Sequence, residues 1–97
     1  MLISLSAEAR TDADEATDWY LGEGAFTAAD HFADELDHAF GLLRQFPNMG
    51  APGPHQTRIL PLPGFPYSLV YRIQSETVRI IAIAHQSRRP VFWVGRR

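Results

Sequence analysis

The chain opens on a short apolar run, Leu2–Leu5, and then changes period. Ala9, Ala13, Ala16 and Tyr20 recur at helical spacing, which leaves Asp12, Asp14, Glu15 and Asp18 mostly on the other side. The pattern predicts a strand followed by an amphipathic helix, with Ser6 as its cap, Glu8 in its first turn and its end near Gly22. A second helix is expected from about residues 25–27, where Thr27 and Asp30 make a pair like a capping box. Ala29, Phe32 or Ala33, Leu36, Phe40 and Leu43 mark its apolar stripe, and Pro47 stops it. A short glycine-containing connection makes the two helices an antiparallel hairpin.

Residues 47–57, PNMGAPGPHQT, carry turn chemistry throughout and read as a surface loop. Three strands are expected after it, over residues 58–62, 67–73 and 78–85. The second alternates, and the third is apolar on both faces, as a central strand is. A hairpin around Ser75 and Glu76 sets Arg72 opposite Arg79, Val70 opposite Ile81 and Ser68 opposite Ile83. Tyr71 with Ile80 and Leu69 with Ala82 form the apolar parity that should meet the helices. His85 shares the parity of Arg79 and is therefore expected on the face away from them. The order of elements predicts an α+β fold: an N-terminal strand and a helical hairpin packed on a mostly antiparallel sheet, in one domain spanning residues 1–97.

Composition narrows the chemistry. Ninety-seven residues that are 45% hydrophobic can bury a core without a disulfide or metal staple, and there is no cysteine. The N-terminus lacks the basic region of a signal peptide, and no run reaches the ~20 apolar residues of a membrane span, so a cytoplasmic protein is expected. Charge is segregated: residues 1–50 hold ten acids against Arg10 and Arg44, whereas residues 51–97 hold seven arginines against Glu76 alone. An anionic partner for the second half and mutual neutralisation of the halves are both compatible with that split. Asp12, Asp14, Asp18, Asp34 and Asp37 are expected to be solvated.

His31 and His38 lie seven apart on the acidic helix without a converging ligand set, so no metal site is expected. No cofactor is expected either, since there is no glycine-rich phosphate loop ahead of a helix, and no Gly-x-Ser-x-Gly elbow is present. The remaining chemistry lies in residues 82–93, AIAHQSRRPVFW. His85 is either a proton-transfer group or a histidine capping a strand end. Arg88 and Arg89 either grip an anion or solubilise the surface. Phe92 and Trp93 either stack on a partner or fold back on the core.

Taken in order, a helix ending in WY, a second ending in LLRQFPNMG, then RILPLPGFPYSLVYRI and VRIIAIAHQSRRPVFW resemble the RelE/ParE superfamily of toxins from bacterial type II toxin-antitoxin modules, most of all the ParE branch. The most specific pieces are FPYSLVYR and the His-x-x-Arg-x-Pro-x-x-Trp pattern of His85, Arg88, Pro90 and Trp93. The resemblance implies the same α+β fold and two alternative activities. RelE-like members cut messenger RNA on the ribosome with lysines, arginines and often a C-terminal tyrosine. All nine basic residues here are arginine, and Phe92 stands nearest that tyrosine, so an endoribonuclease would rest on His85, Arg88 and Arg58. ParE-like members inhibit DNA gyrase by binding, which implies a toxin without chemistry of its own that arrests growth and stabilises plasmids. A degenerate member that only binds its antitoxin is a third reading.

Under the ParE-like reading, His85, Arg88, Arg89 and Trp93 are expected to contact the target. Kinship implies a cognate, ParD-like antitoxin that wraps the toxin with a segment folding on binding. A groove along the hairpin near Trp19, Tyr20 and Phe26, together with Arg72 and Arg79, is expected to receive it.

Overall fold

The computed structural model describes every residue from Met1 to Arg97. The elements are β1 (Leu2–Leu5), α1 (Ala7–Gly22), α2 (Phe26–Gln45), β2 (Ala51–Gly53), β3 (Thr57–Pro61), β4 (Tyr67–Gln74) and β5 (Thr77–His85). The sheet runs in the order β1-β5-β4-β3-β2. β1 lies parallel to β5, and every other pairing is antiparallel. This is the α+β fold the sequence predicts.

Ser6 caps α1 as expected: its backbone is extended and its Oγ accepts the Ala9 N–H at 3.0 Å. The helix ends through Gly24, whose φ of 71° is costly for any residue with a Cβ, and the Ala25 N–H closes the turn on the Tyr20 carbonyl at 2.8 Å. That closure sets Ala25 at the cap position of α2, so Thr27 falls inside the first turn and the expected capping box does not form. Phe32 is fully buried and Ala33 exposed, which settles which of the two belongs to the stripe.

Both helices cover one face of the sheet. Ala9, Ala16, Phe32, Leu36 and Leu43 meet Leu69, Tyr71, Val78, Ile80 and Ile83 in the main core. Alanine on the buried side of α1 lets that helix approach β5 closely. The rings of Tyr20, Phe32, Phe65 and Tyr67 close one end, with Phe32 centred 5.2 Å from Tyr67 and 5.5 Å from Phe65. The opposite face carries a smaller core, in which Trp93 folds back on Val70, Ile81 and Ala82.

The hairpin register holds only as far as Tyr71 opposite Ile80. A bulge then puts Val70 opposite Ala82, Leu69 opposite Ile83 and Tyr67 opposite His85. One extra residue on β5, Ile81, reverses the facing of everything beyond it. Ala82 therefore lies on the tail side and Ile83 on the helix side, the reverse of the expectation. His85 moves with Ile83 and sits beside Tyr67 on the helix side. Residues 47–57 also differ from a plain loop, because β2 forms within them as a three-residue edge strand on β3. Its brevity and Pro52, which has no N–H to offer, suit an edge position.

Truncation of Leu69 or Ile80 to alanine is expected to cost about 2–5 kcal/mol in urea denaturation. The bulge adds Ile83→Ala to that set, and an Ile83→Ala protein as stable as the parent would show that the shift in register is wrong.

Candidate functional site

β1 ends at Leu5, so the distal part of β5 lacks a strand on that side. The Ser6 N–H still reaches the Ile80 carbonyl at 3.0 Å. Beyond it the Ile83 N–H donates to Asp12 Oδ2 at 3.0 Å, and the Ile81 carbonyl accepts from Arg96 Nη1 at 3.1 Å. Arg96 Nη1 also donates to Asp12 Oδ2 at 2.6 Å, with Nη2 3.4 Å from Oδ1. A carboxylate from α1 and a guanidinium from the tail thus replace the missing strand. Asp12 is only 6% exposed, contrary to the expectation of a solvated aspartate, and its burial is sustained by these partners. Its spacing held the clue, because Ala9, Asp12, Ala16 and Tyr20 follow one helical stripe as regularly as the set that contains Ala13.

Around this pair lie the residues of the tail. Arg88 Nη1 is 4.0 Å from Asp12 Oδ1, and the Arg88 guanidinium lies 3.7 Å from the centre of the Phe92 ring, with Arg96 at 5.1 Å. Phe92 is thereby engaged with two cations. The His85 ring packs edge-on against Tyr67 at 4.9 Å. Its Nδ1 accepts the Ser87 N–H at 3.0 Å, so the neutral ring carries its proton on Nε2. That contact fits a histidine capping the strand end. Arg89 is exposed, whereas Trp93 is only 4% exposed, which leaves it no face to lay on a target.

A shallow cavity of about 170 Å³ between α1 and the end of β5 is lined by Asp12, Glu15, Trp19, Tyr67, His85 and Arg88, among others. It joins residues expected on two separate surfaces, Trp19 for the antitoxin and His85 with Arg88 for the target. Trp19 and Phe26 are exposed by 58% and 65%, while Tyr20 belongs to the core. Arg72 and Arg79 do not share a groove with them. They face each other across β4 and β5, on the side away from the helices and toward the other end of these strands. Arg72 donates to the His55 and Arg96 carbonyls at 3.1 and 2.9 Å, and Arg79 to Ser4 Oγ at 2.6 Å.

Arg58 is separated from His85. Its partner on β4 is Tyr71, four residues from the partner of His85, or roughly 13 Å along the strand. Its guanidinium donates to the Asn48 and Gly50 carbonyls at 3.1 and 2.7 Å. The Tyr71 hydroxyl works on the same segment, donating to the Pro47 carbonyl at 2.7 Å and accepting the Gly50 N–H at 3.0 Å. Burial pushes the Tyr71 hydroxyl above the usual tyrosine range, offset in part by the Gly50 N–H and the Arg58 charge. Arg58 and Tyr71 thus clamp the turn into β2, and of the three residues expected in an endoribonuclease only His85 and Arg88 are brought together.

Two measurements check these contacts. Asp12→Ala strands the Ile83 N–H and the Arg96 charge and should cost about 3–5 kcal/mol, whereas Asp14→Asn and Asp18→Asn should stay within about 0.5 kcal/mol, all by urea denaturation. Tyr71→Phe should cost about 1–3 kcal/mol by leaving the Gly50 N–H unmet. Because the folded Tyr71 has the raised pKa, its contribution is complete below the ordinary value of about 10 and is lost as pH rises through the folded value. Parent stability should therefore fall above about pH 10, and less steeply in Tyr71→Phe.

Comparison with known proteins places this geometry in a lineage. A search of curated proteins gives no match. Among solved structures, the fold superposes on a protein described as "Chromosomal ParDE TA system from P. aeruginosa" with a TM-score of 0.76 and 24% identity, over 88% of this chain and 95% of that one. The family model described as ParE toxin of type II toxin-antitoxin system, parDE, matches residues 3–90, from β1 through the arginine-rich turn after β5. The chain therefore belongs to the ParE toxin family of type II toxin-antitoxin systems.

Proposed function

We propose that this ParE-family chain is a cytoplasmic toxin that inhibits DNA gyrase by binding, without chemistry of its own, and is held inactive by a cognate ParD-like antitoxin. The observation that carries the choice against RNA cleavage is the dispersal of the reactive groups. Arg58 is occupied by two loop carbonyls away from His85, and His85 Nδ1 is occupied by the Ser87 N–H. The chain has no lysine, and Phe92, which has no hydroxyl, is held against Arg88. His85, Arg88 and Arg89 remain the proposed target contacts. Trp19 and Phe26 are proposed to anchor the antitoxin, and Arg72 with Arg79 to bind an acidic part of it on the other face.

Purified protein should block supercoiling by gyrase and leave ribosome-bound message uncut in primer extension. Cleavage at codons with supercoiling untouched would establish the endoribonuclease instead, and no effect in either assay would leave a chain that only binds its antitoxin. Alanine at His85 and at Arg88 should reduce growth arrest in steps, whereas a proton-transferring His85 would lose on the order of 10² to 10⁴ in rate from the single change. Full growth arrest by both variants, with melting curves like the parent's, would remove these two residues from the target surface.

A further inference from the structure

Asp12 is the only carboxylate with an arginine within 4.0 Å. Apart from Asp12 with Arg88 and Arg96, the acidic and arginine-rich halves therefore form no ion pairs within one molecule. Two sets of charges outside that pairing stand on opposite sides of the molecule. On α2, Asp30, Asp34 and Asp37 are exposed at positions i, i+4 and i+7, turned away from the buried stripe of Phe32, Leu36, Ala39 and Leu43. Successive members of such a row have Cβ atoms about 5–6 Å apart. Across the sheet, Arg72 and Arg79 are direct cross-strand partners, whose Cβ atoms lie about 4.5–5.5 Å apart. Like charges in that position repel, and the oxygens they meet, on Ser4, His55 and Arg96, are all neutral.

We propose that the Arg72–Arg79 pair of one molecule receives the Asp30–Asp34–Asp37 row of a second copy of this chain. The Cβ spacings are similar, the signs are opposite, and the N–H groups that Arg72 and Arg79 do not spend on Ser4, His55 and Arg96 remain for carboxylates. A second copy also satisfies both halves of the charge pattern. In the absence of antitoxin, a second copy is the acidic partner always present with these arginines. Because donor and acceptor surfaces lie on opposite sides of the molecule, the contact is head-to-tail and does not close with two copies. Assembly therefore grows as chains or rings, is weak per contact and is screened by salt. An acidic partner bound at the same arginines ends the growth.

The test is light scattering after size exclusion on the purified toxin at about 20 mM and about 500 mM salt. At low salt the average mass should rise with concentration past twice the monomer's 10.9 kDa, and at high salt it should return to it. Arg79→Glu and Asp34→Arg should each be monomeric alone. Mixed in equal amounts they should assemble again, because one supplies the intact acidic row, the other the intact arginine pair, and the two reversed charges are complementary to each other. Circular dichroism checks folding, and if a charge reversal unfolds the chain, Arg79→Gln and Asp34→Asn replace it with partial loss expected. A parent monomeric at both salts, a salt-insensitive dimer, or variants that assemble like the parent would each overturn the proposal. A parent that is monomeric until an acidic peptide is added would assign the arginine pair to a different protein.

Discussion

Asp12 does for β5 what a longer first strand would have done. β1 supplies only four residues of parallel pairing, from Leu2 to Leu5, and the distal part of β5 would otherwise be a bare edge beside a helix. One carboxylate takes the Ile83 N–H, and the guanidinium it holds takes the Ile81 carbonyl. The same pair ties the tail to α1, and with it the turn that carries Arg88, Arg89 and Phe92. A buried ion pair gives little net stability relative to a well-packed apolar substitute, yet it is severe to break once present. Its contribution here is positional: it fixes where the tail passes round the sheet.

That arrangement explains why parts of the fold were legible in the sequence and others were not. The helices could be read because their apolar positions keep one period, with Ser6 to open α1 and Gly22 near its end. Arg72 opposite Arg79 could be read because the turn at Ser75 and Glu76 fixes the nearby register. The bulge could not, since β5 is apolar on both faces and a slip of one residue exchanges Ala82 with Ile83 without exposing anything polar. His85 lies beyond the slip, so its facing was lost with it. β2 was hidden because Gly50, Pro52, Gly53 and Pro54 are turn residues, and its strand character comes from pairing with β3 rather than from its own preferences.

The site shows the same division. Residue types and order along the chain, above all in FPYSLVYR and HQSRRPVFW, suggested the family, to which the match over residues 3–90 assigns the chain. Side-chain roles depended on geometry that no spacing encodes. Trp93 is a core residue because the tail doubles back over Val70 and Ile81, and Arg58 is a loop clamp because Asn48 and Gly50 present carbonyls to it. Asp12 was concealed by its neighbours Asp14, Glu15 and Asp18, which are exposed as an acidic helix face should be.

The pair between Asp12 and Arg96 spans 84 residues of chain, and β1 meets β5 across almost as many. Contacts so distant in sequence form late and slowly, because the loop between them must first be closed. During synthesis the helical hairpin emerges early and can form locally, but its carboxylate waits for a partner until Arg96 has left the ribosome. A nascent chain that has not yet released Arg96 has an open β5 edge and an unfastened tail. A product that stops before Arg96 is therefore structurally incomplete, so the surface attributed to the tail is assembled only once Arg96 is in place.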